Sequence, residues 1–275
     1  MKLELKKFDI TKVQDDKVIV MIGKRGTGKS FLIQDLLFYH QDIPVGTVIS
    51  PTEPANKFFS KFVPNIFIHE EYKAGIVDNY VRRQKMAVDK VNQEMALYGQ
   101  TRMDPRAFLI LDDCLYDNSW TKDRNIRYIF QNGRHVKCMF LFSMQYPLGV
   151  PPNLRTNIDY VFILRENIVQ NRKRIYDNYA GMFPTFDCFN QTLDQTTENF
   201  ECLVIDNTSR SNRLEDVVFW YKADSHAPFR VGNPQFWINN NPVGSRNRSG
   251  DDEDEFDSNA AGKKNRTVIK VNKVL

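Results

Sequence analysis

Val18-Ile19-Val20-Met21-Ile22-Gly23-Lys24-Arg25-Gly26-Thr27-Gly28-Lys29-Ser30-Phe31-Leu32-Ile33-Gln34-Asp35-Leu36-Leu37 decides the fold. An apolar run long enough for a buried strand leads into Gly23 to Ser30. That octet fits G-x-x-x-x-G-K-[ST] at every fixed position and opens a run that reads as a buried helix. Strand, glycine loop and helix in this order make a phosphate cradle. Glycines at 23, 26 and 28 let the backbone wrap a polyphosphate and turn several N–H groups inward, where a Cβ would obstruct. The helix beginning near Gly28 adds its positive dipole end. Lys29 is expected to reach the β- and γ-phosphates and Ser30 to coordinate Mg²⁺. Lys24, Arg25, Thr27 and Phe31 complete the expected nucleotide-binding set.

Further along, strand-like and helix-like segments alternate. Gly46 to Ser50 reads as a second strand, and Tyr72 to Tyr98 as a long amphipathic helix with apolar residues at Val77, Val81, Val88, Val91, Met95 and Tyr98. Ala107 to Leu111 has the length of a buried parallel strand. A helix is expected from about Lys122 to Asn132, closed by Gly133 in the glycine C-cap role. Met139 to Ser143 and Tyr160 to Leu164 read as two more strands. Alternation of this kind predicts an α/β fold: a mostly parallel central sheet, helices on both faces, and ligands at the carboxyl ends of the strands. Cys202 to Ile205 and Val217 to Tyr221 then form a hairpin at the sheet edge.

Asp112 and Asp113 follow the strand ending at Leu111, where a nucleotide-hydrolysing site needs acids beside its phosphate loop. The site is expected to form from these two neighbouring strand tips. Asp112 would hold the magnesium shell and Asp113 would polarise the attacking water. Gln145, after the next strand, could sense the γ-phosphate or orient that water. Arg134 reads either as an arginine finger pointing across a subunit boundary or as a surface arginine at a helix end. Arg155 and Arg165 are alternative fingers or contacts to nucleic acid.

The chain's 275 residues, 41% hydrophobic, suffice for one full α/β core with an appendage. Residues 1–16 read as a polar lead-in, 17–238 as the ATPase domain, and 239–275 as a charged, mostly disordered tail. The last nine residues of that tail could be a strand, a docking peptide or a frayed terminus. No run approaches a membrane span and the first residues lack a signal peptide's apolar stretch, so a soluble intracellular protein is expected. Cys114, Cys138, Cys188 and Cys202 have no metal-ligand spacing and read as reduced thiols. The net charge of +4 is unevenly spread, with ten Lys/Arg against three Asp/Glu between Lys122 and Arg174. A polyanionic partner is plausible there, and a solvated basic face is the alternative.

Gly23 to Ser30, Leu109 to Cys114, Asn132-Gly133-Arg134-His135, Ser143-Met144-Gln145-Tyr146-Pro147 and Pro152 to Tyr160 together resemble the genome-packaging ATPases of large nucleocytoplasmic DNA viruses, a branch of the FtsK/HerA superfamily. The resemblance extends over about Lys17 to Gly232 and includes Leu203 to Thr208 and Phe219 to Lys222. It implies a RecA-like P-loop NTPase that forms a ring homo-oligomer and drives double-stranded DNA into a preformed capsid. ATP and Mg²⁺ would be its cofactors and capsid or portal vertex proteins its partners. It would work in the host cytoplasm at the assembly site, with the virion as a second location. By this analogy Lys29 and Ser30 take phosphates and magnesium, Asp112 the metal, Asp113 the water, Gln145 the sensor role and Arg134 the trans finger. Many related motors carry Glu where this chain has Asp113. The competing readings are a DNA-pumping or helicase ATPase of a cell or mobile element, and a structural nucleotide-binding protein without turnover. A guanine-reading N-K-x-D segment does not occur.

Overall fold

The computed structural model describes residues 3–114, 118–238 and 240. Strand β1 (Val18–Ile22) runs through the phosphate loop into helix α1 (Lys29–Phe38), and β2 (Val45–Ile49) follows. A short helix α2 (Glu53–Asn56) and a two-residue strand β3 (Ile68–His69) precede the long helix α3 (Ala74–Tyr98). Then come β4 (Ala107–Leu111), α4 (Arg124–Asn132), β5 (Cys138–Met144), α5 (Pro152–Arg155) and β6 (Tyr160–Ile163). Helices α6 (Val169–Tyr179) and α7 (Phe186–Thr196) lead to the hairpin β7 (Glu201–Asp206) and β8 (Val218–Lys222), and a last turn α8 (Gln235–Ile238) closes the described domain.

The eight strands form one sheet in the order β3-β2-β4-β5-β1-β6-β7-β8. All pairings from β3 across to β6 are parallel, and β6-β7 and β7-β8 are antiparallel. Strands β1, β4 and β5 are buried at every residue, as the central strands of a sheet covered on both faces must be. Two apolar cores result. One holds Val20, Leu109, Phe140 and Phe142 against α3, α4 and α7; the other holds Ile19, Met21, Phe108 and Leu141 against α1. Aromatic rings such as Phe130, Phe140 and Phe142 pack edge-on or offset within the first core.

The mostly parallel sheet, the helices on both faces and the edge hairpin are as expected. Four details depart from the sequence reading. The phosphate-loop strand β1 and the acid-bearing strand β4 are not neighbours, because β5 lies between them. Strand alternation alone does not fix strand order, so this insertion was invisible in sequence. Gly133 does not close α4 in a left-handed cap: its φ is −52°, the chain tightens into a 3₁₀ turn over Gly133–Val136, and Lys137 takes the left-handed conformation at φ 52°.

The lead-in is not purely polar. Phe8, Ile10 and Val13 are buried, and the backbone at Lys6 and Phe8 bonds to Trp220, covering the outer edge of β8. The apolar stripe of α3 is buried only at Val77, Tyr80 and Val81, while Met95, Leu97 and Tyr98 are exposed. The helix outruns α4 and the start of β5, on which its first half packs. The tail expected from 239 onward lies, apart from residue 240, outside the described residues. Among the described residues no helix is long and apolar enough to cross a membrane, and no group of His, Cys, Asp or Glu is arranged to hold a metal by itself.

Candidate active site

The site is built at the carboxyl ends of β1, β4 and β5, where a parallel sheet leaves its backbone groups unpaired and its helices begin. The phosphate loop leaves β1 under tight steric control. Gly23 N–H donates to the Met144 carbonyl at 3.0 Å, anchoring the loop to β5. A Cβ at Gly23 would stand 2.7 Å from Thr27 Oγ1 and 2.8 Å from Leu164 Cβ, so only glycine passes there. Gly26 and Gly28 sit at φ 78° and 103°, in the left-handed region that costs a side chain energy. Gly28 is the N-cap of α1, leaving its first N–H groups free to meet an anion. Thr27 Oγ1 donates to the Lys24 carbonyl at 2.8 Å and braces the turn.

Lys29 is buried at 5% exposure, and its ammonium is held by three oxygens: the Gly23 carbonyl at 2.9 Å, the Lys24 carbonyl at 3.1 Å and Asp113 Oδ1 at 3.6 Å. A buried cation needs such partners, and these can be exchanged for phosphate oxygens at low cost. Asp112 is 2% exposed at the tip of β4. Burial holds its carboxyl above the usual carboxylate range, the neighbouring Asp113 adds to the rise, and Ser143, Lys29 and Ser30 oppose it. Ser143 Oγ donates to Asp112 Oδ1 at 2.7 Å and accepts from the Asp113 N–H at 3.0 Å. Ser30 Oγ makes a longer contact of 3.4 Å to Asp112 Oδ2.

Asp113 itself occupies the left-handed region at φ 51°, a strained position that turns its carboxylate out of the strand toward Lys29. Gln145 Nε2 donates to its Oδ2 at 3.2 Å. The hydroxyl of Ser30 and the carboxylate of Asp112 are hard oxygen donors side by side at the loop, a set that fits magnesium, which takes few protein ligands and keeps water and phosphate oxygens. The adjacent Cys114 is held protonated by burial, so its sulfur does not compete for a metal.

These groups border a cavity of about 800 Å³ lined by Arg25, Gly26, Gly28, Lys29, Ser30 and Phe31, and also by Asp112, Asp113, Phe58 and Phe200. Of the sequence-expected residues, Gly23 to Phe31, Asp112, Asp113 and Gln145 are therefore assembled at one end of the sheet. Arg134 is not. It lies in the turn before β5, at the opposite end of the parallel strands, exposed and near Asp159, whose carboxyl burial holds above its ordinary value against a small opposing pull from Arg134. Arg155 ends α5 with its guanidinium on Asn178 and over the Tyr179 ring. Arg165 is exposed just beyond β6, at the phosphate-loop end.

Two residues of the site escaped the sequence reading. Ser143 is the one hydroxyl in an otherwise apolar strand, a signal that could have flagged it. Glu166, with its side chain 3% exposed, binds Lys24 Nζ at 2.9 Å, accepts the Ile168 N–H at 2.8 Å and the Asn171 amide at 3.1 Å, and so ties the phosphate loop to the start of α6. Burial alone would raise the Glu166 carboxyl, but these donors outweigh it and hold it below its ordinary value.

No protein-family model matches the chain. It is 42% identical over 223 residues to an uncharacterized protein, L437, of Acanthamoeba polyphaga mimivirus, covering 81% of this chain and 78% of that one. It is also 42% identical over 205 residues to the uncharacterized protein 075L of Invertebrate iridescent virus 6, covering 74% and 76%. Among solved structures it superposes on the genome packaging NTPase B204 of Sulfolobus turreted icosahedral virus 2, crystallised with sulfate, with a TM-score of 0.53 at 14% identity, over 79% of this chain and all of that one. That likeness identifies the RecA-like P-loop fold.

Proposed function

The chain belongs to a family of nucleocytoplasmic large DNA virus proteins that includes those of mimivirus and iridescent virus 6, and on that premise we propose that it is an ATP-hydrolysing motor that moves double-stranded viral DNA into a capsid. One observation carries the hydrolytic half: Lys29 and Ser30 of the phosphate loop converge with Asp113 and Asp112 just beyond β4, at 3.6 Å and 3.4 Å. A pocket that only held a nucleotide would need no second, strained carboxylate at Asp113.

In this reading the N–H groups of Gly26 to Ser30 and the start of α1 receive the polyphosphate. Lys29 exchanges its loop carbonyls for the terminal phosphates, where its charge offsets what builds up as the terminal bond breaks. Ser30 and Asp112 would hold magnesium, which when bound would supply Lewis-acid neutralisation of phosphate charge. Asp113 accepts a hydrogen bond from the attacking water and aligns it, and Gln145, already on Asp113, reports the state of the terminal phosphate. Ser143 keeps both carboxylates in place. Arg134 stands too far round the sheet to serve its own pocket, so in a ring it would complete the pocket of a neighbouring subunit.

The DNA half is supported by the viral family, by the packaging NTPase whose fold the chain shares, and by the basic stretch from Lys122 to Arg174. It is tested by ATP-dependent displacement of a third strand from a triplex on linear duplex DNA, in a salt series. Displacement that needs ATP, fails with Lys29→Ala and declines steeply with salt is expected. Displacement absent at every salt concentration, alongside active hydrolysis, would remove translocation from the account.

A further inference from the structure

Phe200 is 70% exposed, yet it stands on a backbone that disfavours it. The Glu201 N–H donates to the Glu198 carbonyl at 2.8 Å, closing a four-residue turn whose two central residues, Asn199 and Phe200, have φ values of 52° and 66°. Both are left-handed, the pattern of a type I′ turn. Asparagine tolerates that conformation and glycine prefers it, whereas an aromatic residue is strained there. A large apolar side chain kept in a strained, solvent-facing position gains nothing from the core, so its use lies outside the fold.

Its surroundings say what that use is. Phe200 lines the same cavity as the phosphate loop, and a Cβ on Gly28 would lie 3.7 Å from its ring. Phe31, 58% exposed, lines that cavity too, with its ring 5.7 Å from that of Phe58. Beyond the phosphate loop, then, the cavity presents exposed aromatic surface. Two polar side chains on this wall are engaged with their own loop: the Asn56 amide donates to Thr52 Oγ1 at 3.3 Å and its oxygen accepts the Phe58 N–H at 3.1 Å, while Arg25 and Lys222, cations without an acceptor for a base edge, complete the polar lining.

We propose that Phe200, with Phe31 and Phe58, forms a stacking subsite for the nucleobase of the bound triphosphate, which grips the ring by its face and does not distinguish adenine from guanine by its edge. This rests on the triphosphate reading of the pocket. Stacking on an aromatic side chain is tolerant because every base has a π-face, whereas discrimination requires hydrogen bonds to base edges. The site is thus a purine nucleoside triphosphate site fixed chiefly by its phosphates.

The experiment compares wild type, Phe200→Gly and Phe200→Leu in steady-state hydrolysis of ATP and GTP, in inhibition by inorganic tripolyphosphate, and in thermal unfolding. Wild type is expected to use ATP and GTP with kcat/KM values within about tenfold of each other. Both variants should raise KM for both nucleotides about tenfold, with the loss in KM rather than kcat, while tripolyphosphate inhibits them as it does wild type. Phe200→Gly should unfold at or above the wild-type temperature, since glycine relieves the turn. Unchanged KM in both variants, or a changed particle mass with unchanged KM, would overturn the subsite. So would a wild-type preference for one purine above a hundredfold. Wild type that responds to neither ATP nor tripolyphosphate would instead refute the triphosphate pocket itself.

Discussion

At the residue scale the site depends on a few positions whose neighbours leave no freedom. Replacing Lys29 with Ala removes the cation that touches both the loop carbonyls and Asp113, and ATP hydrolysis is expected to fall to background. Ser143→Ala deletes one hydroxyl that both donates to Asp112 and accepts from the Asp113 backbone. Its kcat is expected to drop about 10- to 100-fold, as when a hydrogen-bond partner that orients a metal-ligating carboxylate is removed, with nucleotide binding retained in a filter or fluorescence assay. A steric counterpart lies in the core: a Cβ on Gly46 would stand 2.1 Å from the Phe108 ring. Gly46→Ala is expected to cost roughly 1–3 kcal/mol or more of stability by overpacking, readable in denaturant unfolding. Protonation follows the same logic. His40 first, then Arg106, hold Asp15 at about 2 against an ordinary 3.8. The folded value lies below the unfolded one, so this cluster stabilises fully above about pH 4 and is lost as pH falls toward 2. Asp15→Asn should therefore flatten that acid limb in a pH series of melting temperatures.

At the scale of elements, helix α3 shows where periodicity informs and where it stops. Val77 is fully buried against the first core while Val91, on the same stripe, is only partly covered. Val77→Ala is expected to cost about 2 kcal/mol and Val91→Ala less than about 0.5 kcal/mol, in parallel unfolding experiments; equal costs would mean that the outer half of the helix is packed after all. The sequence told that a long amphipathic helix exists, because its spacing is a local property. It could not tell how much of the stripe has something to pack against, because that depends on where α4 and the turn into β5 end. The same division holds for the site. Gly23 to Ser30, Asp112 and Asp113 were legible because their chemistry is written as contiguous residues next to strands. Ser143, Glu166 and Phe200 were not, since each acquires its role from elements distant in the chain: β5 inserted between β1 and β4, the start of α6 folded back on Lys24, and the turn before β7 brought beside Gly28. Gly133 misled because a glycine after a helical pattern usually ends it in a left-handed cap. Here the chain needs one further tight turn to enter β5, and Lys137 carries the reversal.

At the scale of the whole molecule, the phosphate loop and Arg134 lie at opposite ends of the parallel strands β1 and β5. If Arg134 completes a neighbour's pocket, Lys29→Ala and Arg134→Ala subunits, each inactive alone, should recover turnover when mixed, since the first supplies the arginine that the second lacks. Mixtures that never exceed the sum of the separate preparations would leave Arg134 a surface residue. The claim beneath all of this is that the pocket breaks ATP and that duplex DNA governs how fast. Its most direct test is the steady-state rate of ATP hydrolysis by wild type and by Asp113→Ala, each with and without linear duplex DNA. Wild type should turn over ATP and accelerate severalfold with duplex, and Asp113→Ala should lose at least about 100-fold in both conditions. A wild-type rate that is indifferent to duplex, or no greater than that of Asp113→Ala, would contradict the account.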